Sequence, residues 1–369
     1  MSELSTNASD RLISLDALRG FTIAGMVIVN DPGSWSHVFS PLLHAEWNGS
    51  TPTDLVFPFF LFMVGVSIAL AYTKRIKAGA DKKDLYKKIL SRTVKIYLLG
   101  MFLTLFPKFD FANIRLVGVL PRISIVFFFA AIIFLNTNWK QQIRLAIGIL
   151  VGYFILMVYI PIPGIGAPDL SGPETNWANW IDKNFLPGRM YRGTWDPEGI
   201  LSTFPAIVTS MVGMLIGTLI LSLKDVYKKL TWLFFAGFIM LLIGEAWHWF
   251  FPINKHIWTS SYVMYAGGLA TLSLAACILV VDILGYHKWT FIGKVYGANA
   301  ITSYVLAGLL TQVFYRDLFG FGAPNKLFMD GMTGIVSAEM ASFMYAILYM
   351  LIIFLPALYM YRKKIFIRV

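Results

Sequence analysis

The chain has 369 residues, of which 57% are hydrophobic and only 14% charged. A soluble domain carries about 25% charged residues, so the composition excludes an ordinary soluble globular protein and points to an integral membrane one. The net charge of +11 does not predict nucleic-acid binding, because the basic residues lie in short segments between apolar runs, where they orient a membrane protein.

A polar lead, residues 1–10, precedes Arg11 and the first apolar run. No small-residue cleavage site follows, so this run is expected to be retained as a helix and not removed as a signal peptide. Apolar runs near the roughly 20 residues needed to cross a bilayer predict about ten spans. They cover 14–30, 54–73, 91–107, 116–135, 143–160, 200–222, 231–250, 260–283, 294–315 and 338–361. The runs are continuous and not alternating, which predicts helices and not barrel strands. The expected fold class is therefore all-α: a polytopic helical membrane bundle forming one domain over 1–369. Gly297, Asn299, Thr302, Ser303 and Gln312 interrupt the ninth span. No internal repeat is visible, which weakens a transporter built from two related halves.

Loop charges set the expected orientation. One face collects Arg11, the 74–95 run, Lys140, Arg144, Lys224, Lys228, Lys229, Lys288, Lys294 and the 362–368 tail. The other collects Lys108, Arg115, Lys183, Arg189, Arg192, Lys255, Arg316 and Lys326. The positive-inside rule makes the first face cytoplasmic, with both termini inside. The 30–53 segment, which has no Lys or Arg, is then outside. The basic 74–92 loop reads as a topology signal touching anionic lipid, or as an entry funnel for an anionic cofactor. The long outer loop 161–199 carries Trp177, Trp180, Tyr191 and Trp195. These rings suit stacking on a sugar, or an interfacial aromatic belt.

Ionisable groups predicted inside or at the edge of spans are Asp16, Arg19, Asp54, Arg122, Glu245, His248 and Asp282. Each costs about 2.5–3.5 kcal/mol or more at mid-bilayer if unpaired, so such groups line cavities or pair. Asp16 and Arg19 are spaced for an ion pair on one helix. Arg122 has no local partner and needs an anion, either a carboxylate or a ligand phosphate. The 30–67 stretch is polar and aromatic first and apolar afterwards, bringing Asn30, His37, His44, Glu46 and Asn48 to the mouth of the bundle. Among the histidines His44 has the richest surroundings. Glu46, Asn48 and Asp54 can orient its ring, Trp47 can limit water, and a neutral imidazole is a competent base. The histidines are not at paired helical spacing and Cys277 stands alone, so no metal site is expected. Neither a Gly-x-Ser-x-Gly elbow nor a Walker loop is present.

Ser14-Leu15-Asp16-Ala17-Leu18-Arg19-Gly20, Asn30, His44-Ala45-Glu46-Trp47-Asn48-Gly49 and Thr53-Asp54-Leu55-Val56-Phe57-Pro58-Phe59-Phe60-Leu61-Phe62 together resemble the heparan-α-glucosaminide N-acetyltransferase family and its bacterial relatives. Pro121-Arg122-Ile123 and Gly297-Ala298-Asn299-Ala300 extend the likeness. Lysosomal members carry an extra lumenal domain and a leading span, so the chain resembles the bacterial core. The resemblance implies transfer of acetyl from cytoplasmic acetyl-CoA, as co-substrate, to the amine of glucosamine or a glucosamine-terminated glycan on the far side. It implies His44 and Asn30 as catalytic residues, and a place in the bacterial inner membrane, in contact with lipid and as a homodimer. Glu46, Trp47, Asn48 and Asp54 are then expected to hold the acceptor. Arg19, Arg122, Asn299 and Ser303 are expected to hold CoA, with Arg122 nearer the outer half of its span. Acetyl can rest on His44 as an acyl-imidazole, or His44 can act only as base in a ternary complex. A sugar or lipid-linked sugar transporter is the alternative. It explains the spans but not the outer His/Asn/Glu cluster.

Overall fold

The computed structural model describes residues 12–318 and 320–367. The polar lead, Arg11 and Arg368 of the sequence analysis lie outside the described residues. Helices follow in the order α1 (Ile13–Asn30), α2 (Pro52–Lys77), α3 (Lys82–Leu105), α4 (Val119–Asn136), α5 (Trp139–Tyr159), α6 (Trp177–Phe185) and α7 (Thr203–Ser222). They continue with α8 (Val226–His248), α9 (Ser260–Cys277, prolonged by a π-helical turn to Ile283), α10 (Phe291–Ala298), α11 (Ala300–Phe314), α12 (Pro324–Met332) and α13 (Ala338–Arg362). Among the described residues there is no strand, only isolated bridges between loops. The protein is an all-α polytopic membrane bundle.

Eight described helices are long and apolar enough to cross a bilayer. The two other expected spans differ for identifiable reasons. The third lies in α3, which begins at Lys82 and takes in Lys83, Lys87, Lys88, Arg92 and Lys95. Lys and Arg are good helix formers, so the basic segment is mostly helical, and the expected 74–92 loop shrinks to residues 78–81. The ninth is broken at Asn299, leaving α10 and the short apolar α11.

Helix α2 is central, packing on α1, α4, α7 and α9. Without a strong hydrophobic drive between helices in lipid, close approach depends on small residues. A Cβ on Gly20 of α1 would lie 1.7 Å from the Gly293 carbonyl oxygen of α10, and one on Gly65 of α2 would lie 1.9 Å from the Ser210 carbonyl oxygen of α7. Helix α8 leans mainly on α9 and turns Trp232, Phe235, Phe238 and Leu242 outward, as a lipid-facing helix does. Glu245, expected to line a cavity or to pair, lies on the exposed side of this helix.

The α1–α10 contact gives a paired prediction. Gly20→Ala should lower the melting temperature in detergent sharply, since overpacking of this kind costs roughly 1–3 kcal/mol. Gly25→Ala on the same helix, where a Cβ meets nothing within 4 Å, should be neutral or slightly stabilising. Equal melting shifts for the two variants would contradict this packing.

Candidate active site

The site begins with the way α2 starts. Thr51 is its N-cap, Pro52 occupies the first turn, and Asp54 completes a capping box with Thr51. Asp54 Oδ2 accepts hydrogen bonds from Thr51 N at 3.0 Å, Thr51 Oγ1 at 3.1 Å and Ala45 N at 3.0 Å. Its Oδ1 accepts from His44 Nδ1 at 2.7 Å. The carboxylate is 1% exposed while the His44 side chain is 39% exposed. An ionised carboxylate can only accept, so this bond calls for the proton on Nδ1 and leaves the ring's lone pair on Nε2, with Lys255 Nζ 3.4 Å away. Lys255 Nζ stands 3.0 Å from His44 Nδ1 and 3.5 Å from Asp54 Oδ1.

The His44 segment docks on the loop between α8 and α9. Gly49 N donates to Ile253 O at 2.7 Å, Asn254 Nδ2 donates to Asn48 Oδ1 at 3.0 Å, and His256 Nε2 donates to Ala45 O at 3.1 Å. Trp47 stacks on His256, with centroids 5.4 Å apart and planes 4° apart, and Trp195 meets both edge-on. Trp47 Nε1 and Asn48 Nδ2 both donate to Leu170 O. Trp47 and Asn48, expected to hold substrate, thus brace the loop.

His44 opens into a cavity of about 590 Å³, lined also by Asn30, Glu46, Trp35, Tyr191, Trp195 and Glu198. Arg115 on its wall bonds Asp196 through Nε and Nη2, at 2.7 and 2.6 Å, and Glu198 at 2.5 Å. Burial alone would lower the Arg115 pKa, but these carboxylates outweigh it and hold the guanidinium charged. Burial pushes the Lys255 ammonium down, against the pull of Asp54, and lowers His256 as well.

A second cavity, of about 710 Å³, continues along α2 toward its basic end. Arg19, Arg75, Lys87, Lys88, Arg92 and Lys95 line it. Phe60, Ile123 and Ile301 line both cavities and form the wall between them. Arg19 is held by Asp16 at 2.6 Å, as its spacing predicted, and donates to Gly297 O. Asn299 also lines this cavity, with its amide taken up by the C-terminal segment: Nδ2 donates to Ile365 O and Oδ1 accepts from Ile367 N. Ser303 is buried and lines neither cavity.

Arg122 is placed differently from the expectation of a phosphate ligand. It is fully buried in the first turn of α4, donates to Gly199 O at 3.1 Å and to Ser202 Oγ, and lies over the Trp258 ring. It lines neither cavity and holds the turn before α7 that carries Glu198. Of the other histidines, His37 approaches Glu339 and His248 Nδ1 accepts from Ile253 N, away from the cavity. Lys255, His256, Arg115 and Glu198 were not singled out from the sequence. The available signal was that Arg115 and Lys255 are cations on the face depleted of them.

Burial raises the Asp182 carboxyl to about 7, against a bond from Ile200 N and the nearby Arg122. An acid raised on folding stabilises least when ionised, so its contribution falls as pH climbs from about 4 to about 7. Asp182→Asn keeps the acceptor for Ile200 N. Its melting temperature should exceed the parent's above pH 7 and converge with it near pH 4 in a thermal-shift titration. A parent that gains on the variant as pH rises would contradict the burial.

Residues 11–114 match a family profile described as Domain of unknown function (DUF5009). The chain is 27% identical to heparan-alpha-glucosaminide N-acetyltransferase of Mus musculus, over 85% of this chain and 55% of that protein. It is 29% identical to heparan-alpha-glucosaminide N-acetyltransferase of Homo sapiens, over 80% of this chain and 52% of that protein. The chain spans about half the length of the curated relatives it matches.

Proposed function

We propose that this protein, a relative of the heparan-α-glucosaminide N-acetyltransferases, is a membrane acetyltransferase. In this reading acetyl passes from acetyl-CoA in the basic cavity to an amino sugar in the His44 cavity. The observation that carries it is the pair of cavities in series along α2, one lined by cations and the other by an imidazole oriented by a carboxylate. From Arg75 to Phe60 the helix covers about 22 Å at 1.5 Å per residue, a span suited to a nucleotide with an extended pantetheine arm. Arg75, Lys87, Lys88, Arg92 and Lys95 are the phosphate partners, with Arg19 nearer the wall. By the positive-inside rule the basic end faces the cytoplasm, as the inner membrane of a bacterium would require.

The acceptor nitrogen must be neutral to attack the thioester. His44 Nε2 takes its proton as the N–C bond forms and returns a proton to the departing CoA sulfur when the C–S bond breaks. Asn30, at the end of α1 on the same cavity, donates its amide hydrogen to the carbonyl oxygen as charge develops. Glu46, which makes no ion pair among the described residues, faces the acceptor's amine and hydroxyls, and Trp195 and Tyr191 offer faces for its ring. Direct transfer in a ternary complex needs the wall of Phe60, Ile123 and Ile301 to admit only the thioester end. The glycan class follows the names of the relatives, and glucosamine itself is the simplest member to try. The sugar transporter remains the second reading, favoured by the two cavities meeting near mid-bundle. A transferase works in micelles, whereas transport needs a sealed membrane.

The test uses the full chain in detergent with radiolabelled acetyl-CoA and glucosamine. His44→Ala should lose transfer by about 10²–10⁴-fold while binding CoA within a few-fold of the parent by calorimetry. Lys88→Ala with Arg92→Ala should weaken CoA binding by at least about tenfold, as lost charge-assisted bonds do. Ile301→Trp should block transfer but not CoA binding, and Ile301→Ala should keep both. Unchanged turnover in His44→Ala would overturn the assignment.

A further inference from the structure

His44 is met near Nδ1 by two groups of opposite charge. The Asp54 carboxylate comes from the first turn of α2, and the Lys255 ammonium comes from the α8–α9 loop, 211 residues away in sequence. Lys255 Nζ is 3.0 Å from Nδ1 and 3.4 Å from Nε2, so it lies against the ring within reach of both nitrogens. It is also 3.5 Å from Asp54 Oδ1, the oxygen that accepts the Nδ1 proton. Lys255 is held in place by its loop, where Thr259 N and Trp258 N close turns on Asn254 O and Lys255 O. His256 from the same loop, Glu46 from the His44 segment, and Glu198 with Arg115 across the cavity complete the charged surroundings. Arg115 is taken up by Asp196 and Glu198 together, and His256 is occupied in donating to Ala45 O. The cation in direct contact with the His44 ring is therefore Lys255.

We propose that Lys255 is a positioning residue for His44: its ammonium pairs with Asp54 beside the ring, and the two together hold the imidazole neutral, with its proton on Nδ1 and Nε2 presented to the cavity. Asp54 alone would favour an imidazolium as readily as it favours the Nδ1–H tautomer, because a carboxylate stabilises either. A second positive charge against the same ring selects the neutral form, which is the only one able to take a proton from an amine. The proposal rests on the acetyltransferase reading for its kinetic readout but not for its spectroscopic one.

The experiment compares Lys255→Met and Lys255→Arg with the parent, using two readouts. In the first, ¹⁵N-histidine labelling with His44→Ala as the assignment control follows one of only five histidines. The parent near pH 7 should show a pyrrole-type Nδ1 and a pyridine-type Nε2 at His44, Lys255→Arg should keep that pattern, and Lys255→Met should show imidazolium or mixed tautomers. In the second, kcat should fall at least about tenfold in Lys255→Met. The acidic limb of kcat/KM should move to higher pH, and Lys255→Arg should restore it. A Lys255→Met protein that binds CoA like the parent and keeps both the parent tautomer and the parent acidic limb overturns the proposal. If Lys255→Met does not fold, Lys255→Gln is judged by the same two criteria. Should the parent transfer no acetyl, the enzyme reading fails, while the tautomer comparison still decides the role of Lys255.

Discussion

The local structure turns on the carboxylate of Asp54. It sits in the first turn of a membrane helix, where unpaired backbone N–H groups and the helix dipole favour a negative charge. One oxygen caps the helix through Thr51 and pins the preceding loop through Ala45 N. The other takes the Nδ1 proton of His44. Hydrogen bonds to a charged group contribute about 1.5–3 kcal/mol each, so helix initiation, loop closure and orientation of the imidazole are a single event. A residue that starts a helix in this way cannot be replaced without disturbing the imidazole of His44.

The second constraint is how closely the helices approach. Helix α2 carries both cavities because α1, α4, α7 and α9 pack around it, with glycines bringing it closest to α7, leaving open the sides toward the basic half of α3 and the α10–α11 break. The break at Asn299 falls within the span that polar residues interrupt. The Asn299 amide turns to the C-terminal segment, and Ile301 just beyond the break lines both cavities. Irregular backbone at this depth is tolerated because it lines a cavity and not lipid.

Much of this was legible in the sequence. Eight spans follow from apolar length alone, and the Asp16–Arg19 pair follows from helical spacing. The His44–Asp54 neighbourhood was visible because its members are only ten residues apart. Other features were not legible, for physical reasons. The helix propensity of Lys and Arg carries α3 through a segment that charge alone marks as a loop. Arg122 reads as a candidate for a ligand anion, yet it is satisfied in part by Gly199 O and Ser202 Oγ in a turn remote in sequence. Trp47 and Asn48 lie beside the imidazole in sequence but turn toward Leu170 O. Lys255 reaches the ring only through the docking of two distant loops, and no local pattern encodes that contact.

The central claim is that a thioester delivered through the basic cavity reaches the imidazole of His44 past Phe60, Ile123 and Ile301. An experimental structure of the full chain with a non-hydrolysable acetyl-CoA analogue tests it most directly. The account predicts phosphates among Arg75, Lys87, Lys88, Arg92 and Lys95, with the acyl carbon on the His44 side of the wall and within hydrogen-bonding reach of Asn30. An analogue whose acyl end stays in the basic cavity or turns toward lipid, with the wall closed, would contradict it.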